Sequence, residues 1–276
     1  MSSAILLALG ALVCFGVSDA VYKRAARAGL KTHQFMMVQA MLYTPPVIVY
    51  GWATGTLRFT PESLWGAVAA VFAFTGFYNF AYSLKGGAVT SNAAIFRLSF
   101  VLTALLGVGV LGEPISALKV SGWLLALVAV WLLLGGGRSR SIVRVCVATV
   151  GVGIANLLYK VGLDAGATPA AMLVVQAAMV VLMSSVLVYR IDGRIAPERR
   201  VFRFSIVTAI LLAVGFTLLM EALARGEASV LVPIAQMGFV LTALIGYTLM
   251  REPVSARNLT GLVFAVAALA ALAFSG

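Results

Sequence analysis

Acidic and imidazole groups are scarce in this chain: 276 residues carry nine Asp and Glu, one histidine and two cysteines. An enzyme needs a nucleophile with its base or a metal cluster, and the chain offers neither an H-E-x-x-H pattern nor a Gly-rich phosphate loop. No enzymatic activity and no cofactor are therefore expected. Cys14 and Cys146 fall in separate apolar runs, where cysteine behaves as a small hydrophobe and builds no disulfide framework. From Met1 to Tyr22 there is no basic start and no A-x-A-like cleavage site, so this stretch is expected to persist as a first helix. Charged residues of both signs reach only 11%, against roughly a quarter in soluble domains, which excludes a water-soluble fold.

What fills the chain is apolar: 62% of residues are hydrophobic and the mean hydropathy is +1.05. A bilayer core needs ~20 apolar residues per helix. Apolar runs separated by charge and turn residues predict an all-α integral membrane protein with ten transmembrane helices, near residues 4–22, 33–53, 63–83, 88–111, 116–135, 142–160, 169–189, 202–223, 228–250 and 257–275. The net charge of +11 is spread over short segments between these runs, so no nucleic-acid stripe forms. Fifteen of the basic residues, Lys23, Arg24, Arg27, Lys31, Lys85, Arg138, Arg140, Arg144, Arg190, Arg194, Arg199, Arg200, Arg203, Arg251 and Arg257, share one face. Arg58, Lys119, Lys160 and Arg225 share the other. The positive-inside tendency then puts the first set in the cytoplasm and both termini outside, in a multi-pass inner-membrane protein.

The chain repeats itself. At an offset of 139 residues, Phe100-Val-Leu-Thr-Ala-Leu105 meets Phe239-Val-Leu-Thr-Ala-Leu244, Glu113-Pro114 meets Glu252-Pro253, and Gly122 meets Gly261. At an offset of 137, Gly16 meets Gly153, Tyr22-Lys23 meets Tyr159-Lys160, and Val38-Gln-Ala40 meets Val175-Gln-Ala177. Gln, Glu-Pro and Tyr-Lys pairs do not recur through apolar bias alone. The predicted domains are residues 1–137 and 138–276, joined through Gly136-Gly137-Arg138-Ser139-Arg140-Ser141. Five spans per copy put equivalent loops on opposite faces, the inverted repeat of many secondary transporters, with a central cavity at the repeat interface.

The two five-helix halves, the Gly112-Glu113-Pro114 and Arg251-Glu252-Pro253 turns, Gly122 and Gly261, and the Tyr22-Lys23 and Tyr159-Lys160 pairs resemble the drug/metabolite transporter superfamily, specifically its ten-helix EamA-type exporters. The resemblance spans essentially the whole chain. It implies a basket-like bundle around a central cavity and export of small metabolites by alternating access. Amino acids, aromatic ones included, are a prominent substrate class among relatives. Some relatives hold both termini in the cytoplasm, the reverse of the charge count here. The expected partners are a small-molecule substrate and membrane lipids, with the chain acting as a monomer. A carrier of amines, sugars or drug-like cations is the alternative, and a channel or scaffold a further one.

Arg97 near mid-membrane is the leading candidate for substrate binding, because a charge there costs at least ~2.5 kcal/mol and turns to the bundle interior. Its fork suits a carboxylate, although it could equally pair with a polar neighbour to lock its helix. Its repeat counterpart is Gln236. Tyr78 and Tyr82, with Asn79 adjoining, share a face at i, i+4 and could wall a cavity or belong to an interfacial belt. Gln39 and Gln176 are buried amides at equivalent places, and Ser99, Asn92, Asn156 and Thr217 are further lining candidates. Pro45-Pro46 and Pro233 interrupt helices. Glu113 and Glu252, each before a proline, read as helix-start capping, Trp52, Trp65 and Trp131 as interfacial anchors, and His33 as a solvated helix-start residue. All nine acids are expected in loops or near span ends, with Asp19 and Glu221 the deepest, leaving no mid-membrane carboxylate and disfavouring a proton-coupled multidrug exporter. No metal site is expected.

Overall fold

The computed structural model describes residues 2–83, 95–133, 142–248 and 255–275. Every extended element among them is a helix: α1 (Ser3–Arg27), α2 (Thr32–Ala53), α3 (Trp65–Ser83, after a short 3-10 turn at Pro61–Leu64), α4 (Ser99–Leu111), α5 (Ala117–Leu133), α6 (Ile142–Asp164), α7 (Pro169–Asp192), α8 (Arg199–Leu223), α9 (Ala228–Gln236), α10 (Gly238–Thr248) and α11 (Ala256–Ala273). Among the described residues, seven helical segments are long and apolar enough to cross a bilayer. Ile95–Leu111 and Ala117–Leu132 are shorter apolar helices, and α2 carries His33, Gln34, Gln39 and the Pro45-Pro46 pair. Lys85, Asn92, the junction at residues 134–141, and Arg251, Glu252 and Pro253 lie outside the described residues.

The two halves interdigitate, and their contacts keep the same pattern when the halves are exchanged. α1 packs on α8 as α6 packs on α3; α2 packs on α8 as α7 packs on α3; α1 packs on α10 as α6 packs on α4. Three further pairs, α2 with α7, α4 with α9 and α5 with α11, cross between equivalent helices. The hydrogen bonds follow the same rule. Thr103 donates to the Gly153 carbonyl at 3.3 Å, and its counterpart Thr242 donates to the Gly16 carbonyl at 2.9 Å. Gly16 is required there, since a Cβ on it would stand 2.5 Å from the Gly238 carbonyl oxygen. Helices without a hydrophobic drive to associate in lipid gain from such close approach of small residues. Leu124, Val128, Val263 and Val266 are exposed on the flanking α5 and α11, the apolar skin of a membrane bundle. Ser18, Gln39, Arg97, Asn156, Gln176 and Gln236 are buried within.

Glu113 does cap a helix, but not the α5 that it precedes. Its Oε1 accepts from the Ala228 N–H at 2.7 Å and its Oε2 from the Ser229 N–H at 2.8 Å, closing the first turn of α9 in the opposite half. The positive end of a helix dipole and unpaired first-turn N–H groups favour a carboxylate there. The chain turns to reach this position at Gly112, whose φ of +70° ends α4 in the left-handed region that glycine tolerates. Lys119 adds an ion pair to Glu227 and donates to the Pro114 carbonyl at 2.6 Å in the same corner. A Glu113→Ala variant strands two buried donors and is expected to lose about 2 kcal/mol or more of stability. A fall of several degrees in apparent Tm in detergent checks this, and an unchanged Tm contradicts the cross-half cap.

Candidate functional site

Both halves break one helix at the same repeat position. Leu98 N–H reaches back to the Ile95 carbonyl at 3.0 Å and Val101 N–H to Leu98 at 3.0 Å; 139 residues later Met237 N–H reaches Ile234 at 3.1 Å and Val240 N–H reaches Met237 at 3.0 Å. These i to i−3 bonds tighten the helix locally, a form that marks hinges. In the second half Pro233 cannot donate to the Ser229 carbonyl, which accepts from the Trp123 indole at 2.9 Å instead. Broken helices at mid-membrane are tolerated where they are buried in protein or line a cavity. Here the residues just before the two breaks are Arg97 and Gln236.

Those two side chains meet. An Arg97 guanidinium nitrogen donates to Gln236 Oε1 at 2.8 Å. The guanidinium also forms an ion pair with Asp19 of α1. Arg97 is 3% exposed, and its Nε has no hydrogen-bond partner. The Asp19 side chain is 21% exposed, so it opens toward the cavity beside it. That cavity, partly open to solvent, is walled by Phe15, Phe77, Phe80, Phe96, Val152, Leu212 and Phe216. Its polar lining is Ser18, Asp19, Tyr22, Arg97, Asn156, Tyr159 and Gln236. Ser18 Oγ, Asn156 Nδ2 and the Tyr159 hydroxyl are buried without partners.

A second cavity adjoins the first across Phe77 and Phe216, whose rings meet edge to face at 6.2 Å. Gln39, Gln176, Tyr43 and Phe74 line it, with the Tyr43 hydroxyl and Gln176 Oε1 unpartnered. Gln39 Oε1 accepts from Tyr22 at 2.5 Å and from Thr208 at 3.1 Å. Most lining positions are repeat equivalents: Ser18 with Ala155, Asp19 with Asn156, Tyr22 with Tyr159, Phe77 with Phe216, Arg97 with Gln236, Gln39 with Gln176. The site lies on the pseudo-two-fold axis.

Of the residues singled out from sequence, Arg97, Asn156, Gln236, Gln39 and Gln176 come together around these two cavities. Tyr78, Asn79 and Tyr82 do not. The cavity-facing residues of α3 are Ala73, Phe74, Phe77 and Phe80, and the tyrosines line neither cavity. Tyr78 stacks on Phe74 at 6.0 Å; Tyr82 is exposed under the Arg144 guanidinium at 4.2 Å, and Asn79 accepts from Arg144 at 3.1 Å. Spacing of i, i+4 shows that two residues share a face, not which face turns inward. Ser99 is fully buried in α4 and Thr217 is buried in α8, neither lining a cavity. Asn92 lies outside the described residues. His33 is not simply solvated, since it contacts Asp192 at 3.0 Å, where Gln34 donates at 2.6 Å and Lys31 at 3.2 Å.

The expected absence of an intramembrane carboxylate is corrected at Asp19, which sits well inside α1 against Arg97. It was legible at the repeat offset of 137, because its counterpart is Asn156. Glu221 accepts from Tyr50 at 3.0 Å and pairs with Arg225 at 2.7 Å, away from the cavities.

Duplicated apolar helical halves meeting at a cavity with a polar lining fit a membrane transporter of small substrates. The EamA-like transporter family model matches residues 2–135 and 139–274, and the chain belongs to that family. An uncharacterized protein of Methanocaldococcus jannaschii is similar, 22% identical over 95 residues that cover 34% of this chain and 69% of that protein. A solved crystal structure is similar in fold, with a TM-score of 0.82 at 16% identity, covering 100% of this chain and 98% of that one.

Removing Arg97 alone leaves Asp19 as a buried, unmatched charge, which costs about 3–5 kcal/mol, whereas removing both partners leaves none. Arg97→Gln is therefore expected to destabilise more than the Asp19→Asn, Arg97→Gln double variant. Denaturant unfolding of the two single variants and the double variant measures the coupling; additive losses contradict the pair.

Proposed function

We propose that this protein is a secondary transporter that exports amino acids across the inner membrane by alternating access, through ten transmembrane crossings with both termini outside. The observation that carries the substrate class is Arg97. It is a permanently charged group in an aromatic-walled cavity, paired with Asp19 and Gln236 and with its Nε–H unclaimed. A planar fork in low dielectric favours a ligand carboxylate, and with Asp19 matched by Arg97 the cavity has no surplus negative charge to draw amines and drug-like cations. The phenylalanine walls suit apolar side chains, including aromatic ones. Equivalent helix breaks at Leu98 and Met237 supply matched bending points in the two halves, the element that two-state exchange around a fixed site requires.

Counterflow of a radiolabelled amino-acid panel in proteoliposomes tests the substrate class. Saturable exchange is expected, falling at least about tenfold in Arg97→Ala, the loss of one charge-assisted contact. Tyr78→Ala, which touches neither cavity, is expected to stay within about twofold, the ordinary range of surface changes. Amino acids that neither exchange nor compete would refute the reading. For sidedness, single cysteines at Arg58 and Arg194, in a background lacking Cys14 and Cys146, are expected to label from outside and from the cytoplasm respectively. The opposite pattern reverses the orientation.

A further inference from the structure

We propose that Asp19 and Arg97 together form a head-group site for zwitterions, in which Asp19 is the specificity-determining residue that demands an α-ammonium beside the carboxylate. The inference rests on the amino-acid carrier reading and sharpens it. Arg97 alone would accept any small organic acid. Its ion pair with Asp19 changes what a ligand must bring.

A buried charge is tolerated when matched and is costly when left alone. A ligand with only a carboxylate can take the Arg97 nitrogen now paired with Asp19 only by displacing Asp19, which is then stranded in a cavity walled by phenylalanines, and without that displacement it gains only the single free Nε–H. A ligand with only an ammonium strands Arg97 in the same way. An α-amino acid carries both charges one carbon apart and can insert between the two side chains, replacing one ion pair with two. Unused hydrogen-bonding capacity lies where that head group would enter. Arg97 Nε and Asn156 Nδ2 can donate to the carboxylate, and the hydroxyls of Ser18 and Tyr159 can meet either group. Asp19 has the exposure to the cavity that direct contact needs.

The second half supplies a control. Its equivalents of Asp19 and Arg97 are Asn156 and Gln236, an uncharged pair on the same scaffold. One half thus provides the charged contacts and the other amide contacts, so the cavity holds a head group in a single orientation relative to the axis.

Phenylalanine, 3-phenylpropionate and 2-phenylethylamine share a ring and differ only in head group. Against the unaltered protein, phenylalanine is expected to compete in amino-acid counterflow, and to raise the apparent Tm, at concentrations at least about tenfold below either analogue. Asp19→Asn is expected to shrink that preference over 3-phenylpropionate to within about threefold, while Asp19→Glu retains it. The Asp19→Asn, Arg97→Gln double variant, which leaves no lone charge, is expected to bind all three weakly and alike. If phenylalanine and 3-phenylpropionate compete equally in the unaltered protein, the zwitterion site is overturned while the carrier reading stands. If no amino acid exchanges, both fall. Because the first comparison needs no variant, a misfolded Asp19→Asn protein does not protect the proposal.

Discussion

A buried guanidinium at the wall of a central cavity organises this bundle. Arg97 needs partners at mid-membrane, and it takes them from both repeats: Asp19 of α1 and Gln236 at the end of α9. Desolvating a charge is tolerable only with good geometry and further hydrogen bonds. The pair with Asp19 brings α1 against the break before α4, and the amide of Gln236 ties that break to its equivalent in the other half. A scaffold of interchangeable apolar helices has few other ways to fix register, because Leu, Val and Ala pack acceptably in many alignments.

Around that contact the halves behave as one body. The principal contacts between spans join one repeat to the other, and polar contacts such as Arg97 with Gln236 and Gln39 with Thr208 cross between them. Glu113 shows the same dependence at the periphery, since the turn of one half closes the first turn of a helix in the other. Under the alternating-access proposal, such mutual completion would let two matched arrangements exist without unfolding either half, with bending confined to positions where the helical ladder is already interrupted. Leu98 and Met237 are such positions, and Phe77 and Phe216 meet between the cavities that flank them.

Much of this was legible in the sequence because duplication prints its constraints twice. Gln39 with Gln176, and Arg97 with Gln236, stand out at constant offsets, and the structure brings all four to the adjoining cavities. Asp19 is one of the two deepest acids in the sequence, but eight residues from the end of a 25-residue helix it reads as terminal when boundaries are drawn from hydropathy, whereas α1 extends to Arg27. The tyrosines of α3 line neither cavity because the polar residues of that helix, Thr75 and Asn79 among them, do not mark its inward face, which Ala73, Phe74, Phe77 and Phe80 form. Glu113 was recognised as a cap, but a cap's acceptor helix is a tertiary fact that local spacing does not contain.

The divergence between the halves follows from where the axis passes. Residues 97 and 236 are repeat equivalents and also touch, at 2.8 Å. An arginine at both would set two like charges at contact, roughly 4 kcal/mol of repulsion at 4 Å even with generous screening, in addition to their desolvation. A symmetric charged site is therefore forbidden at this spot, whereas Gly16 with Gly153, Thr103 with Thr242 and Phe77 with Phe216, which serve packing, stay identical. Charge can be housed on the axis in one half only, and its counter-charge must come from a neighbouring helix with a neutral equivalent. Asp19 opposite Asn156 meets that condition, so the polarity of the cavity is a consequence of folding a duplicated chain around a single charge.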